Sequence, residues 1–280
     1  MSDRHEIFIV AGEPSGDMIG SLLVKQLLQQ RPNTKITAIG GDELERAGAE
    51  VRFNIVRDLA IIGFAEVIAK FPQIRRLFRN TVDYLREHRP EMVVLIDYPG
   101  FNLRLAREAH RLGIKIVYYV IPQIWAWHKS RINKIKEYVD QSLVILPFEE
   151  KLLQEAGADV RYVGHPLLDI MILTMGRDEV FERFEFDPSK KLIGILPGSR
   201  RREVDSLLPI MLEAAEKIQA EDPNVQFVLP LASTVKRERV DGRLAPWRGA
   251  VPGLLATRSS PRTIFRRFRW ARGAQSCPVR

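Results

Sequence analysis

The sequence lacks the features on which several classes of protein depend. Its single cysteine, Cys277, cannot form an internal disulfide, and its five histidines show no metal-ligand spacing, so neither a disulfide scaffold nor a zinc site is expected. The apolar run near the N-terminus is only about six residues long and leads into acidic residues, so it resembles neither a signal peptide nor a membrane span. Walker and GxGxxG spacings are absent. We expect a globular, cytoplasmic protein without metal or cofactor.

Acidic residues are scarce in the last part of the chain. Residues 236–280 hold twelve of the 43 Lys and Arg residues but only two of the 35 acidic ones, and no acid follows Asp241. The segment shows no alternation of strands and helices, so we predict an irregular, Arg-rich tail over residues 235–280. A change of reading frame near residues 234–242 is an alternative origin for this composition. The net charge of +8 therefore gives no reason to expect a specific nucleic-acid partner.

Short apolar runs recur along the chain, with helical segments between them. The runs are rich in β-branched residues and do not alternate with polar ones, which is typical of strands buried on both faces of a parallel sheet. We predict strands over residues 6–12, 35–41, 92–97, 115–122, 142–147, 160–164, 191–198 and 226–232, and helices over 15–30, 101–113 and 202–219. This order predicts a doubly wound α/β fold.

The strand pattern is interrupted between residues 170 and 190, where charged residues accumulate. We therefore predict a first Rossmann-like domain over residues 1–175. A second domain over residues 176–234 begins with a strand, a Gly-containing turn and a helix, as nucleotide-binding units do. Its pattern stops after one strand, one helix and a second strand, so this second domain is predicted to be incomplete.

Two strand ends in the first domain carry candidate site residues. AGEPSGD, residues 11–17, contains Ser15 as a natural N-cap, while Glu13 and Asp17 suit hydroxyl groups better than a bare phosphate. The alternative is a capped turn whose carboxylates favour the helix dipole. LIDYPGFN, residues 95–102, places Asp97 at the carboxyl end of a buried strand, where it can act as a general base. An aspartate that caps the next helix is the alternative.

A third turn, with sequence PGSR, follows the first strand of the second domain. The backbone N–H groups of Gly198 and Ser199, together with the Arg200 guanidinium, can hold a phosphate at the start of the next helix. A tight turn with surface arginines explains the same residues equally well.

Aromatic and apolar residues indicate two further surfaces. Trp125 and Trp127 lie in one strand-end loop, where they form either core packing or a wall for a sugar or acyl chain. Residues 59–79 combine apolar side chains with cationic flanks, which suits either an ordinary amphipathic helix or contact with anionic lipid. The candidate membrane-contact residues in this segment are Ile61, Ile62, Phe64 and Phe71.

Seven motifs taken in order resemble the lipid-A-disaccharide synthase family, whose members are inverting glycosyltransferases with two Rossmann-like domains of the GT-B type. The motifs are AGEPSGD, IIGFAEV, DYPGFN, PQIWAW, LPFE, VGHPLLD and LPGSRRREV, and the resemblance covers roughly residues 5–234. It implies transfer of 2,3-diacylglucosamine from UDP to 2,3-diacylglucosamine 1-phosphate at the cytoplasmic face of the inner membrane. The product is a β-1,6-linked disaccharide, and UDP is released.

The resemblance also implies roles for individual residues. Asp97 matches the base on the acceptor 6-hydroxyl, and Asn102 lies in the same motif. Glu13, Ser15 and Asp17 match the first-strand motif that faces the central cleft. The Arg200 turn matches the motif at the UDP diphosphate, and the segment 59–79 matches the region associated with acyl chains and the membrane.

Two other functions stay open at this point. A related UDP-sugar enzyme, either another glycosyltransferase or an epimerase, would share the fold, although the DYPGFN and PQIWAW motifs disfavour it. Members of the family continue well beyond the position that matches Ala232. The second alternative is therefore an inactive remnant that binds the acceptor lipid without turnover.

Overall fold

The computed structural model describes residues 5–58, 70–122, 131–170, 175–199, 201–232, 237–244 and 254–258, together with Val235 and Trp247. It divides into two compact units, Met1–Leu167 and Leu168–Arg280. The predicted boundary after residue 175 falls inside the second unit. The physical reason is that Met175 packs with Val180 and Phe181 in a small core that belongs to that unit.

The first unit contains a parallel seven-stranded sheet in the order β3-β2-β1-β4-β5-β6-β7. Its strands are β1 (Glu6–Ala11), β2 (Lys35–Gly40), β3 (Glu50–Asn54), β4 (Met92–Ile96), β5 (Lys115–Tyr119), β6 (Gln141–Val144) and β7 (Val160–Tyr162). The helices described here are α1 (Pro14–Gln30), α2 (Asp42–Arg46), α3 (Ile55–Asp58), α4 (Phe71–His88), α5 (Pro99–Arg111), α6 (Arg131–Tyr138) and α7 (Pro147–Glu155), and α8 (Leu167–Ile170) spans the unit boundary. All six strands predicted for this unit are present, and the edge strand β3 is additional.

Strand β1 shows why the sheet needs continuous apolar runs. Ile7, Ile9 and Ala11 pack on one face, in the core that α1 and α2 complete. Phe8 and Val10 pack on the other face, in the core that includes residues from α4, α5, α6 and α7. Successive strand residues point to opposite faces, so every side chain of a strand that is covered on both sides lies in one of the two cores. Such a strand is therefore apolar along its length.

Helix ends follow local sequence, with one correction. We expected Ser15 to cap α1, but the helix begins at Pro14 and Glu13 is its N-cap residue. Proline is favoured in the first turn because that position needs no N–H donor and its φ is already helical. At the end of α5, Gly113 follows the C-cap residue Leu112 and adopts φ 69°, a left-handed conformation that ends the helix.

A polar cluster lies at the amino end of the sheet. The Glu6 carboxylate accepts hydrogen bonds from the hydroxyls of Tyr84 at 2.6 Å and Thr37 at 2.7 Å. The Lys35 ammonium lies 3.4 Å from the same oxygen. Burial by itself would raise the pKa of the Glu6 carboxyl, but these three partners outweigh burial and lower its pKa. The folded state therefore favours the ionised carboxylate.

We expect Glu6→Gln to lower the free energy of unfolding by about 1–2 kcal/mol at pH 7, since the amide loses the charge-assisted bonds. A lowered folded-state pKa stabilises the fold above the unfolded-state value of about 4.3, and this contribution disappears as the pH falls through the folded-state value. The difference between wild type and variant should therefore narrow from pH 7 to pH 3 in urea titrations. Glu87→Gln, at a side chain 80% exposed, is the control. A difference that is constant with pH would contradict this account.

The second unit contains a smaller parallel sheet in the order β10-β9-β8. Its strands are β8 (Lys191–Gly194), β9 (Val225–Leu231) and β10 (Leu254–Arg258), and its described helices are α9 (Arg177–Arg183), α10 (Arg201–Glu221) and α11 (Arg237–Leu244). Both α11 and β10 lie within the range that we predicted to be an irregular tail. Val240 and Leu244 explain α11, because this i, i+4 pair is buried in the core beside β9 despite the surrounding arginines.

Candidate active site

The first candidate site lies where the strand order of the large sheet reverses. Strand β1 has β2 on one side and β4 on the other, and Ala11 pairs with Ile96 at the carboxyl ends of β1 and β4. Gly12 and Asp97 therefore leave the sheet from adjacent positions. Open α/β sheets bind their ligands at such a reversal, in the crevice beyond the strand ends.

The backbone at this strand end is strained. Asp97 has φ 45° and Tyr98 has φ 48°, and Val120, at the end of the neighbouring β5, has φ 58°. Aspartate tolerates the left-handed region, but Tyr and Val rarely adopt it, and each such residue costs roughly 1–3 kcal/mol. The Asp97 N–H donates to the Val120 carbonyl at 3.2 Å, which joins the strained segments. Strain of this kind persists only where surrounding contacts impose it.

Two buried side chains hold the Asp97 backbone. The Tyr118 hydroxyl donates to the Asp97 carbonyl at 2.7 Å, and Asn102 Nδ2 donates to the same carbonyl at 2.7 Å and to the Ile96 carbonyl at 3.2 Å. Both side chains are 0% exposed. Asn102, predicted as a cleft residue, thus lies beneath the strand end. Burial, and then the Asp97 charge, raise the pKa of the Tyr118 hydroxyl well above its usual value, so it stays a protonated donor.

Sequence reasoning missed Tyr118 because it looks like an ordinary strand residue in the run KIVYYVIP. Its one distinguishing signal is a hydroxyl at a fully buried position of a parallel strand. A buried hydroxyl requires a partner. Only the fold identifies that partner as the Asp97 backbone carbonyl, just beyond the end of the neighbouring strand β4.

Tyr98 connects the two strand ends. Its ring lies so close to Gly12 that a Cβ atom at that position would overlap the ring carbons. Burial raises the pKa of the Tyr98 hydroxyl, and the Glu13 carboxylate adds to the shift. Ser15, by contrast, is solvent-exposed in the first turn of α1. The structure therefore brings Glu13, Tyr98 and Asp97 together at the carboxyl ends of β1 and β4.

Asp17 has a different environment from the other acidic residues. Its side chain is 3% exposed, and its two oxygens accept the backbone N–H groups of Gly41, Glu43 and Leu44 at 2.7, 3.0 and 3.2 Å. Burial raises the pKa of this carboxyl, although the three N–H donors oppose the shift. The contacts give Asp17 a role in anchoring α2, rather than in lining a crevice.

The PGSR turn of the second unit contains a glycine with positive φ, a conformation that favours glycine over other residues. Gly198 adopts φ 106°, and a Cβ there would overlap the Glu203 side chain. The Ser199 N–H donates to the Glu203 carboxylate at 3.0 Å. Glu203 is the third residue of α10. An acidic side chain of the helix therefore accepts the N–H that we expected to bind a phosphate. Arg200 lies outside the described residues.

Several other predicted positions also fall outside the described part of the chain, namely Trp125, Trp127, Ile61, Ile62 and Phe64. Phe71 is described: it begins α4 and is 52% exposed. Within the ranges that the structure describes, no helix is long and apolar enough to cross a membrane. In the same ranges, no three His, Cys, Asp or Glu side chains are grouped as a metal site.

Comparison with known proteins decides the family. Residues 7–246 match the family model described as lipid-A-disaccharide synthetase. The chain belongs to the lipid-A-disaccharide synthetase family. The match includes the Asp97 segment, the β1–α1 turn and the PGSR turn, and it confirms the resemblance seen in the motifs.

Two curated relatives show what share of the length of a family member this chain covers. The lipid-A-disaccharide synthase of Coxiella burnetii (strain Dugway 5J108-111) is 42% identical over 246 residues, which cover 88% of this chain and 65% of the relative. That of Trichlorobacter lovleyi is 44% identical over 241 residues, covering 86% of this chain and 62% of the relative. The chain thus spans slightly less than two thirds of the length of these synthases.

The solved structure of S. aureus MnaA with UDP has a TM-score of 0.67 at 13% identity, and the match covers 93% of this chain and 70% of that one. At this identity the likeness concerns the fold alone. Together with the two parallel sheets, it confirms the predicted class, α/β with Rossmann-like domains of the GT-B type.

Proposed function

We propose that the protein is a glycosyltransferase that acts as a lipid-A-disaccharide synthase. It transfers 2,3-diacylglucosamine from its UDP carrier to 2,3-diacylglucosamine 1-phosphate and forms the β-1,6-linked disaccharide. The observation that carries this proposal is the position of Asp97, held in a strained conformation at the β1–β4 reversal in a chain of the synthetase family. Such a carboxylate is suited to accept a proton from a bound hydroxyl.

The proposed chemistry requires one base and a stabilised leaving group. The acceptor 6-hydroxyl oxygen attacks the anomeric carbon of the donor sugar, while its proton passes to the Asp97 carboxylate. The bond from the anomeric carbon to the diphosphate breaks, and UDP leaves with the electron pair. Attack opposite to the leaving group inverts the anomeric centre. Glu13 and the Tyr98 hydroxyl, at the same strand ends, are suited to bind acceptor hydroxyls.

The second unit is assigned to the donor. The N–H groups of Gly198 and Ser199 and the Arg200 guanidinium are proposed to contact the diphosphate, where positive groups stabilise the developing charge. The Ser199 N–H donates to the Glu203 carboxylate in this structure. A diphosphate oxygen that accepts the same N–H must therefore displace this carboxylate. Trp125 and Trp127 are proposed to form part of the acceptor surface.

Lipid contact is proposed for the segment 59–79, including Ile61, Ile62, Phe64 and the exposed Phe71. Arg75 and Arg76 of this segment lie exposed on the first turns of α4. Apolar insertion with adjacent cations favours anionic bilayers, so we place the enzyme peripherally on the cytoplasmic face of the inner membrane.

The test supplies both lipid substrates to the purified chain and measures the disaccharide by mass spectrometry and the released UDP. We expect disaccharide and UDP in equal amounts. Acceptor binding without product would instead select the remnant that binds lipid without turnover. Epimerisation of UDP-N-acetylglucosamine in place of transfer would select the related UDP-sugar enzyme.

A further inference from the structure

One carbonyl group at the candidate site accepts two hydrogen bonds from buried side chains. The Asp97 carbonyl lies 2.7 Å from the Tyr118 hydroxyl and 2.7 Å from Asn102 Nδ2. The two donors come from different elements, β5 and α5. Neither side chain reaches solvent, since both are 0% exposed, so neither is placed to touch a substrate.

The hydrogen-bonded carbonyl controls the orientation of a peptide group between two strained residues. Asp97 and Tyr98 both have positive φ, and the peptide between them includes this carbonyl. Strained backbone of this kind relaxes by shifting toward ordinary dihedral angles, unless its polar groups are held. The carbonyl carbon is bonded directly to the Asp97 Cα, so a shift of this peptide also moves the Cα and the carboxylate that it carries.

We infer that Tyr118 and Asn102 are positioning residues, which hold the Asp97 carbonyl so that the Asp97 carboxylate points to the acceptor hydroxyl. This inference rests on the proposed function. It changes the role predicted for Asn102, from a group in the cleft to a group beneath it. It also assigns Tyr118 a role that none of the sequence motifs indicates.

Tyr118→Phe tests the inference with the loss of one oxygen atom. We expect kcat to fall about ten- to a hundredfold, because small displacements of a catalytic group have effects of that size. The KM for diacylglucosamine 1-phosphate should stay within twofold, since the hydroxyl does not face the acceptor. Asn102→Ala should behave similarly. A rise in KM with kcat unchanged would overturn the inference.

A buried tyrosine at the opposite end of the sheet provides the matched control. The Tyr84 hydroxyl donates to the Glu6 carboxylate at 2.6 Å, so Tyr84→Phe also loses the hydrogen bond of a buried hydroxyl, but far from Asp97. We expect this variant to lose stability and keep its kcat. If Tyr84→Phe lowers kcat as much as Tyr118→Phe does, the effect is one of general destabilisation and the inference fails.

A double variant shows whether Tyr118 acts through Asp97. In an Asp97→Asn background, the carboxylate that Tyr118 positions is already gone, so adding Tyr118→Phe should change the residual rate less than twofold. Two residues that act independently would instead give multiplied losses. Multiplied losses would overturn the inference.

Carbon-13 NMR provides a readout that needs no turnover, so it remains decisive if the chain shows no transfer. Aspartate labelled at its backbone carbonyl and side-chain carboxyl gives two signals for Asp97, identified by their loss in Asp97→Asn. In Tyr118→Phe at fixed pH, we expect both signals to shift, with those of Asp83 unchanged. If only the backbone carbonyl shifts, Tyr118 has a merely structural bond and the inference is wrong. An unchanged pair of signals would also overturn it.

Discussion

We expect Asp97→Asn to form disaccharide about 10²- to 10⁴-fold more slowly than wild type, the range for loss of a general base. Binding of diacylglucosamine 1-phosphate should stay within a few fold, since the amide keeps the size of the side chain. The measurement is kcat from UDP release at saturating substrates, with acceptor affinity obtained separately by calorimetry in detergent.

Asparagine is the informative replacement at this position because of the backbone. Asp97 has φ 45°, in the left-handed region where Asn and Asp are the best tolerated residues after Gly. Alanine would remove the carboxylate and also add strain, so a loss of activity would have two explanations. Asparagine removes the negative charge and the proton-accepting oxygen while it leaves the backbone preference in place.

Asp83→Asn is the matched control for this variant. Asp83 lies exposed on α4, where it pairs with Arg86 at 3.0 Å, and the same chemical change there should leave kcat unaltered. Wild-type transfer in Asp97→Asn would exclude Asp97 as the base. Loss of acceptor affinity equal to the loss of rate would show that Asp97 binds the substrate instead.

The second large effect that we expect is a loss of stability on replacement of Asp17. Asp17→Ala should lower the free energy of unfolding by about 3 kcal/mol or more, because it leaves several backbone N–H groups in and near the core without an acceptor. For a protein of this size, that loss corresponds to a fall in Tm of roughly 6–12 °C. The three N–H groups belong to Gly41, Glu43 and Leu44, at the start of α2. Thermal and urea unfolding of the purified variants measure the effect.

Asp17→Asn and Asp83→Ala refine this test. In Asp17→Asn the new amide side chain keeps one acceptor oxygen but presents an NH₂ group to the remaining N–H donors, so we expect an intermediate loss. Asp83→Ala removes an exposed carboxylate and should change the stability by no more than about 0.5 kcal/mol. Normal stability in Asp17→Ala, combined with a raised KM for the acceptor, would restore the cleft role first predicted for Asp17.

Much of the architecture was predictable because burial on both faces leaves a strong local pattern. Strands such as β1 and β4 are covered by helices on each side, so their residues are apolar without interruption. Strand β3 was missed because it is an edge strand: its sequence EVRFN alternates in burial and carries charged residues. The helix α11 was missed because its two buried residues are surrounded by arginines.

Residues adjacent in the chain were sufficient to predict the parallel α/β pattern and the placement of Asp97 after a buried strand. The hydrogen-bond partner of each buried polar side chain, by contrast, could be learned only from the packed fold. Asp17 bonds to backbone 24–27 residues away, and Tyr118 bonds to the Asp97 carbonyl 21 residues away. Such partners depend on how strands and helices pack across the sheet. Hydrophobic periodicity records which face of an element is buried, but it carries no information on which distant polar group lies against that face.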